Sequence, residues 1–201
     1  GAKAHNRWLA DLCSTNPDRR CGVALVPITG PVEDALAEIK WAKEHGLGAI
    51  MIPARWCNQT PYHDRRYDPI WALCEEYNMP IVTHSGSAPR EEYGDLLGIY
   101  VTEVTWWPAR PMWFVLWSGV FERFPNLRFC ATEGGCWWLP QLLWFWDRLW
   151  AGQKGSEKLG AVDSDSIDRL AADLTAFIEA EGRGPVDLLG HSMGGAISLR
   201  L

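Results

Sequence analysis

The sequence predicts an α/β fold in which helices cover a parallel sheet. Four short, mostly apolar runs are typical of buried parallel strands; they lie at residues 22–28, 47–54, 80–86 and 127–135. A stretch of helical character follows each run, and repeated units of this kind build a parallel sheet. Two architectures fit: half of an eight-unit barrel, whose complete form takes about 250 residues, or an open doubly wound sheet.

The helix after the first strand has the clearest boundary signals. Pro31 suits the first turn of a helix, and Glu33 and Asp34 are stabilised at its positive end. Gly46 is suited to end it. Further helices are predicted at residues 69–77, within a tryptophan-rich region that runs to residue 124, and from the fourth strand to residue 150. The chain opens inside a predicted helix at 4–12, so we expect its native start to lie upstream.

The charge and the cysteine content narrow the class of protein. The chain has 201 residues, a net charge of −6 and a pI of about 5.4, which argues against nucleic-acid partners and against anionic membranes. No apolar run reaches the roughly 18 residues of a membrane span, and no signal peptide is visible. The six cysteines form no C-x-x-C pair, so we expect reduced thiols in a cytoplasmic protein.

Composition changes sharply after residue 150. All thirteen tryptophans lie at or before Trp150, and Phe177 is the only aromatic residue beyond it. The polar, glycine-bearing stretch that follows Trp150 is typical of a linker. We therefore divide the chain into residues 1–152, a junction at 153–165, and a segment at 166–201 that contains an amphipathic helix and the G-x-S-x-G pattern around Ser192.

Two polar side chains stand where neighbouring predicted strands end. The third strand ends in Thr-His-Ser-Gly, with His84, and the fourth ends in Thr-Glu-Gly-Gly, with Glu133. Catalytic groups lie at the carboxyl ends of parallel strands, so this imidazole and carboxylate could share a divalent metal or act as a general base. The alternative is that His84 is a hydrogen-bonded polar residue beside a serine, and that Glu133 pairs with an arginine.

Residues 7–160 resemble the amidohydrolase superfamily, in the branch that includes aminocarboxymuconate-semialdehyde decarboxylase. The stretches that carry the resemblance include "EIKWAKEHGLGAIMIPA", "HDRRYDPIWALCEEYNMPIVTHSG" and "TEGGCWWLPQLLWFWDRL". The resemblance implies a partial (β/α)8 TIM-type barrel of about four units with a divalent metal at its carboxyl face. Zinc is the first expectation, and manganese and iron are the alternatives.

The same resemblance assigns site residues. His84 matches the metal ligand on the family's fifth strand, and Glu133 stands where the sixth strand often carries a histidine. The family's H-x-H pair and its last-strand aspartate have no counterpart in this sequence. The implied function is a metal-dependent hydrolase or decarboxylase that acts on a small carboxylate or amide-like substrate and is incomplete in this chain.

The second segment, "DRLAADLTAFIEAEGRGPVDLLGHSMGGAISLRL", resembles the centre of an α/β-hydrolase. That resemblance implies that Ser192 is the nucleophile of an esterase-like enzyme and that the Met193 N–H helps to bind the oxyanion. No histidine or acidic residue follows Ser192, so we expect an inert serine in a fragment or chimera. A serine α/β-hydrolase and a non-catalytic fragment or fusion are thus the alternatives to the metal-dependent enzyme.

The remaining signals concern substrate binding and self-association. Arg55, Arg90 and Arg110 could hold an acidic substrate, although solvated surface charge explains each of them as well. Tryptophans at helical spacing, at 113 and 117 and at 146 and 150, are typical of a core or of a subunit interface. We expect a homo-oligomer through these helices, and half a barrel would also leave two unpaired strand edges that favour association.

Overall fold

The computed structural model describes residues 1–54, 59–85 and 90–153, and within them four strands form one sheet. The strands are β1 (Val23–Leu25), β2 (Ala49–Met51), β3 (Ile81–His84) and β4 (Phe129–Thr132). The helices are α1 (Ala2–Ser14), α2 (Val32–Glu44), α3 (Asp68–Glu76), α4 (Arg90–Tyr93), α5 (Leu97–Val104), α6 (Arg110–Trp117), α7 (Val120–Arg123) and α8 (Leu139–Gln153), and a 3-10 turn at Arg65–Tyr67 precedes α3.

The strands follow one another in chain order, β1-β2-β3-β4, and every neighbouring pair is parallel. This consecutive order is that of a (β/α) barrel, whereas a doubly wound sheet reverses its strand order part-way. The predicted parallel α/β fold is therefore confirmed, and the order is consistent with a partial barrel. The first three strands are shorter than predicted, because prolines at 27, 53 and 80 have no N–H to donate to the ladder.

The two faces of the sheet have different environments. One face packs under the helices, where Ala24 and Ile50 lie side by side and are fully buried. The other face carries Met51, which is partly exposed, and Cys130, which is exposed. Side chains alternate along a strand, so His84 at the end of β3 belongs to this second face. The predicted site therefore lies on the side of the sheet that the helices leave accessible.

Helix α1 closes the outer edge of β1 through one buried side chain. Asn6 is fully buried; its Oδ1 accepts a hydrogen bond from the N–H of Leu25 at 2.8 Å, and its amide donates to the C=O of the same residue at 2.8 Å. The amide also donates to Glu38 of α2 at 2.9 Å. Within the described residues β1 and β4 are edge strands, as expected for half a barrel, and at Leu25 a side-chain amide satisfies the edge of β1 in place of a neighbouring strand.

The tryptophans predicted at helical spacing pack against other tryptophans. Trp117 meets Trp146 edge-on, with the ring centroids 6.0 Å apart, and Trp113 meets Trp138 in the same way at 6.5 Å. Trp138 and Trp146 are buried, so these rings belong to the core. The more exposed tryptophans are Trp8, Trp106, Trp137 and Trp144. The homo-oligomer expected through the tryptophan-rich helices stays a prediction.

Two further observations bear on expectations from the composition. Burial raises the pKa of the Cys74 thiol to about 12, so this thiol stays protonated at neutral pH and is no nucleophile. In the part of the chain that the structure describes, no helix is both long and apolar enough to cross a membrane.

Candidate functional site

His84 and Glu133 come together at the carboxyl ends of β3 and β4. His84 pairs in the ladder with Thr132, the last residue of β4, so Glu133 follows directly beside it. The Nε2 atom of His84 lies 3.5 Å from Oε2 of Glu133, and the two side chains are 44% and 66% exposed. The structure thus brings the two predicted site residues together and leaves both accessible to a ligand. Their roles in metal binding and catalysis stay predictions.

Ser85 contacts both members of this pair. The Nδ1 atom of His84 lies 2.9 Å from the carbonyl oxygen of Ser85, and this contact assigns the ring proton to Nδ1 as the donor. In the neutral imidazole the lone pair is then on Nε2, the ring nitrogen that lies toward Glu133. The hydroxyl of Ser85 donates a hydrogen bond to Oε2 of Glu133. Sequence analysis missed this contact, although Ser85 stands next to His84 in the Thr-His-Ser-Gly run.

The backbone at Glu133 has an unusual conformation. Its φ of 55° lies in the left-handed region, which residues other than glycine, asparagine and aspartate rarely adopt. Gly134 follows, and a Cβ atom there would lie 3.2 Å from the carbonyl oxygen of Thr105 and 3.1 Å from Cγ of Pro108. The close approach of the 105–108 segment therefore favours glycine at 134, and the carboxylate of Glu133 lies beside His84.

Threonines fix the ends of β3 and β4 beneath the site. Thr83, which is fully buried, donates through Oγ1 to the carbonyl oxygen of Pro108 at 2.5 Å. Thr132 donates through Oγ1 to the carbonyl oxygen of Thr83 at 2.7 Å. These bonds link both strand ends to the segment before α6 and thereby fix the backbone next to His84 and Glu133.

A cavity of about 540 Å³ opens beside His84 at the carboxyl ends of β1, β2 and β3. Its walls are mainly apolar, with the imidazole of His84 and Ser85 at one end. Ligand pockets in proteins combine such apolar walls with a few placed polar groups. The lining residues are Leu25, Val26, Met51, Ile52, Pro53, Ala54, His84 and Ser85.

Two buried tyrosines hold the segment that follows the cavity wall at Pro53. The hydroxyl of Tyr62 donates to the carbonyl oxygen of Pro53 at 2.7 Å, and that of Tyr67 donates to the carbonyl oxygen of Thr60 at 2.6 Å. Burial raises the pKa of Tyr62, so its phenol stays protonated and keeps this bond at neutral pH. Sequence analysis gave no role to either tyrosine, since the carbonyls that they bind are not visible as a motif.

The other residues singled out in the sequence lie elsewhere or cannot be placed. Arg110 is partly buried, its guanidinium carbon lies 5.1 Å from the centroid of the Phe114 ring, and it does not line the cavity. Arg55, the side chain of Arg90, Ser192 and Met193 lie outside the described residues, as does the predicted α/β-hydrolase segment at 166–201. In the ranges that are described, no three histidine, cysteine, aspartate or glutamate side chains form a metal-binding cluster.

Comparison with protein families shows to which family the chain belongs. The sequence model of the amidohydrolases matches residues 1–180. This chain belongs to the amidohydrolase family. The match runs past the junction predicted at 153–165 and ends inside the segment that resembles an α/β-hydrolase. No comparison supports the α/β-hydrolase resemblance, and the predicted domain boundaries stay predictions.

Known relatives of this amidohydrolase include decarboxylases. It is 30% identical over 164 residues to the γ-resorcylate decarboxylase of Rhodococcus jostii, a match that covers 71% of this chain and 47% of that protein. Among solved structures, an amidohydrolase from Mycobacterium avium subsp. paratuberculosis superimposes with a TM-score of 0.69 at 19% identity, over 85% of this chain and 46% of the other.

A dihydroxybenzoic acid decarboxylase from Polaromonas sp. JS666, solved with bound manganese and the inhibitor 2-nitroresorcinol, gives a TM-score of 0.62 at 22% identity. That match covers 85% of this chain and 54% of the other. At such identities the superpositions establish a shared fold. The chain spans about half the length of these relatives.

Proposed function

We propose that this amidohydrolase is a metal-dependent decarboxylase or hydrolase that acts on a small aromatic carboxylate. The observation that carries the proposal is the His84–Glu133 pair, 3.5 Å apart, whose imidazole lines the polar end of an apolar cavity of about 540 Å³. The decarboxylases among the relatives support the choice of reaction and of substrate class. The alternative through Ser192 falls on residues that the structure does not describe, so the proposal rests on residues 1–153.

The donor atoms at the site fit a divalent metal. Metal-ligating histidines commonly donate their second ring N–H to a carbonyl or carboxylate, as His84 does to Ser85, and thereby present the other nitrogen to the ion. Imidazole and carboxylate together suit manganese, iron or zinc. The manganese in the Polaromonas decarboxylase supports manganese here, whereas zinc stays a prediction. When bound, such an ion supplies Lewis-acid polarisation of a substrate oxygen.

The residues of the chain itself supply binding and orientation. Leu25, Met51 and Ile52 offer an apolar wall against which a flat ring can pack. The ring's carboxylate then faces the polar end, where His84 and Ser85 lie. Decarboxylation breaks the bond between the ring carbon and the carboxylate carbon and releases CO₂, and a proton from water takes the vacated position on the ring.

The release of CO₂ tests the proposal directly. The chain, stripped of metal with EDTA and then supplied with Mn²⁺ or Zn²⁺, is incubated with γ-resorcylate, and CO₂ is measured. We expect turnover only after a metal is restored, because the pair at 84 and 133 can polarise the substrate only through the ion. CO₂ release that is unaffected by EDTA, or a metal-loaded chain that neither binds nor converts an aromatic carboxylate, would contradict the proposal.

A measurement of the free energy of unfolding tests whether glutamate at position 133 destabilises the fold while it serves the site. Its left-handed φ costs a glutamate about 1 kcal/mol, and asparagine tolerates that conformation better. We therefore expect Glu133→Asn to raise the free energy of unfolding by about 1 kcal/mol, or the melting temperature by roughly 2–4 °C, while it weakens the binding of Mn²⁺.

Asn78 provides the matched control for this exchange, because it is the other non-glycine residue with positive φ in the described ranges, at 52°. The reciprocal change Asn78→Glu should lower the free energy of unfolding by a similar amount and leave the affinity for Mn²⁺ unchanged. If Glu133→Asn is less stable than the wild type, the left-handed conformation at 133 does not lower the stability of the chain that carries glutamate there.

A further inference from the structure

We propose that Ser85 is a positioning residue, whose hydroxyl holds the carboxylate of Glu133 beside the imidazole of His84 and so sets the affinity of the site for its metal. The proposal rests on the metal-dependent function proposed above. It adds a third residue to the site, which acts on the ion through a ligand rather than by contact with it.

The hydrogen bond from Ser85 and the contact with His84 share one oxygen atom of Glu133. The hydroxyl of Ser85 donates to Oε2 of Glu133, and the same Oε2 is the atom that lies 3.5 Å from Nε2 of His84. The carboxylate therefore faces the imidazole with the oxygen that Ser85 holds. Oε1 remains for a further contact with an ion or with water.

Glu133 needs such a restraint because its own surroundings provide little. Its side chain is 66% exposed and has three rotatable bonds, so without a restraint it would populate several rotamers. Holding it in one rotamer costs up to about 2 kcal/mol of conformational entropy. The left-handed backbone directs the side chain toward β3 but does not select its outer torsions. Within the described residues, this carboxylate makes its polar contacts with Ser85 and His84.

The main chain and the side chain of Ser85 have separable effects. Its carbonyl oxygen accepts from Nδ1 of His84 and orients the ring, whereas its hydroxyl orients the carboxylate. Replacement by alanine removes the hydroxyl and keeps the carbonyl. Ser85→Ala thus releases Glu133 and leaves the orienting bond to His84 in place.

The size of the effect follows from the behaviour of groups that orient metal ligands. Loss of such a group lowers metal affinity by about 10- to 100-fold. Ser85 is only partly buried, so water can replace part of its contribution, and we expect the lower end of that range.

The test measures the dissociation constant for Mn²⁺ from the electron paramagnetic resonance signal of the free ion. Ser85→Ala should raise this constant about 10-fold, and Ser85→Thr, which keeps a hydroxyl, should restore most of the affinity. Ser118→Ala is the control, because the hydroxyl of Ser118, which directly follows α6, donates to the carbonyls of Phe114 and Val115 in that helix. Near-ultraviolet circular dichroism of the tryptophans verifies that each variant keeps its packing.

A double-mutant cycle separates positioning from a general structural role. If Ser85 acts through the carboxylate, Ser85→Ala should have little further effect on Mn²⁺ affinity in a chain that already carries Glu133→Gln. Equal affinities of the wild type and Ser85→Ala, or fully additive effects in the cycle, would overturn the positioning role alone. A wild-type chain that binds no Mn²⁺ would overturn the proposed function together with it.

Discussion

Replacement of His84 by alanine should weaken the binding of Mn²⁺ by at least about 100-fold. A group that merely orients a ligand contributes 10- to 100-fold, so the loss of a ligand that contacts the ion should exceed that range. The site also has few side chains that bind metals, since the described residues place only one histidine and one carboxylate, His84 and Glu133, at the paired strand ends. The measurement is the same Mn²⁺ titration as for Ser85, carried out with the wild type and the variant side by side.

His63→Ala is the matched control for this substitution. His63 is also exposed, but its ring stacks on Phe114 at 5.7 Å and does not line the cavity. Its removal should leave Mn²⁺ affinity unchanged. Because the side chain of His84 is 44% exposed, its truncation should alter the melting temperature by no more than a few degrees. A His84→Ala chain that still binds Mn²⁺ like the wild type would exclude this histidine as a ligand.

The pairing of His84 with Glu133 could be predicted because it follows from two regular features of parallel sheets. Runs of apolar residues locate the strands, and the carboxyl ends of neighbouring parallel strands meet at one edge. Each residue directly follows a threonine at the end of such a run, so their proximity did not require knowledge of the register. The same reasoning located all four strands, although it extended each of them beyond its ladder.

The restraint on Glu133 could not be predicted in the same way. The bond from Ser85 spans 48 residues and depends on the β3–β4 register and on the positive φ at 133. A one-residue shift of β4 would place the carboxylate on the opposite face. Sequence periodicity gives the strands but not the register, and a serine after a strand is too common to indicate a carboxylate partner.

Asn6 was missed for a related reason. Asparagine within an amphipathic helix is ordinarily a surface residue, and nothing local marks this one as buried. Its partners, Leu25 and Glu38, are 19 and 32 residues away in the chain. Only the packing of α1 across the edge of β1 reveals that the amide replaces a strand neighbour, and this placement makes the loss of the amide strongly destabilising.

Asn6→Ala should lower the free energy of unfolding by about 3–5 kcal/mol. The change removes both hydrogen bonds to the backbone of Leu25 and the bond to Glu38, and each buried polar group left unpaired costs about 1–3 kcal/mol. Glu38 is 1% exposed and would retain only its ion pair with Arg7 among these contacts. Urea unfolding followed by tryptophan fluorescence measures the loss, and Asn126→Ala, at an exposed position, is the control.

Asn6→Asp distinguishes the hydrogen bonds from the volume of the side chain. Aspartate has nearly the same size, and its carboxylate can still accept from the N–H of Leu25, but it cannot donate to the C=O of Leu25 and places a negative charge beside Glu38. It should therefore be at least as destabilising as alanine. A neutral effect of Asn6→Asp would mean that the side chain contributes by filling space and not by completing the edge of β1.

The affinity for Mn²⁺ connects this prediction to the site. The proposed metal ligands lie at the ends of β3 and β4, whereas Asn6 supports β1, where Leu25 forms part of the cavity wall. Asn6→Ala, measured at a temperature at which it remains folded, should therefore keep the Mn²⁺ affinity within about 3-fold of the wild type and weaken the binding of the aromatic carboxylate γ-resorcylate more strongly. If Mn²⁺ affinity falls in step with stability, the pair at 84 and 133 depends on the whole sheet and not on the β3–β4 ladder alone.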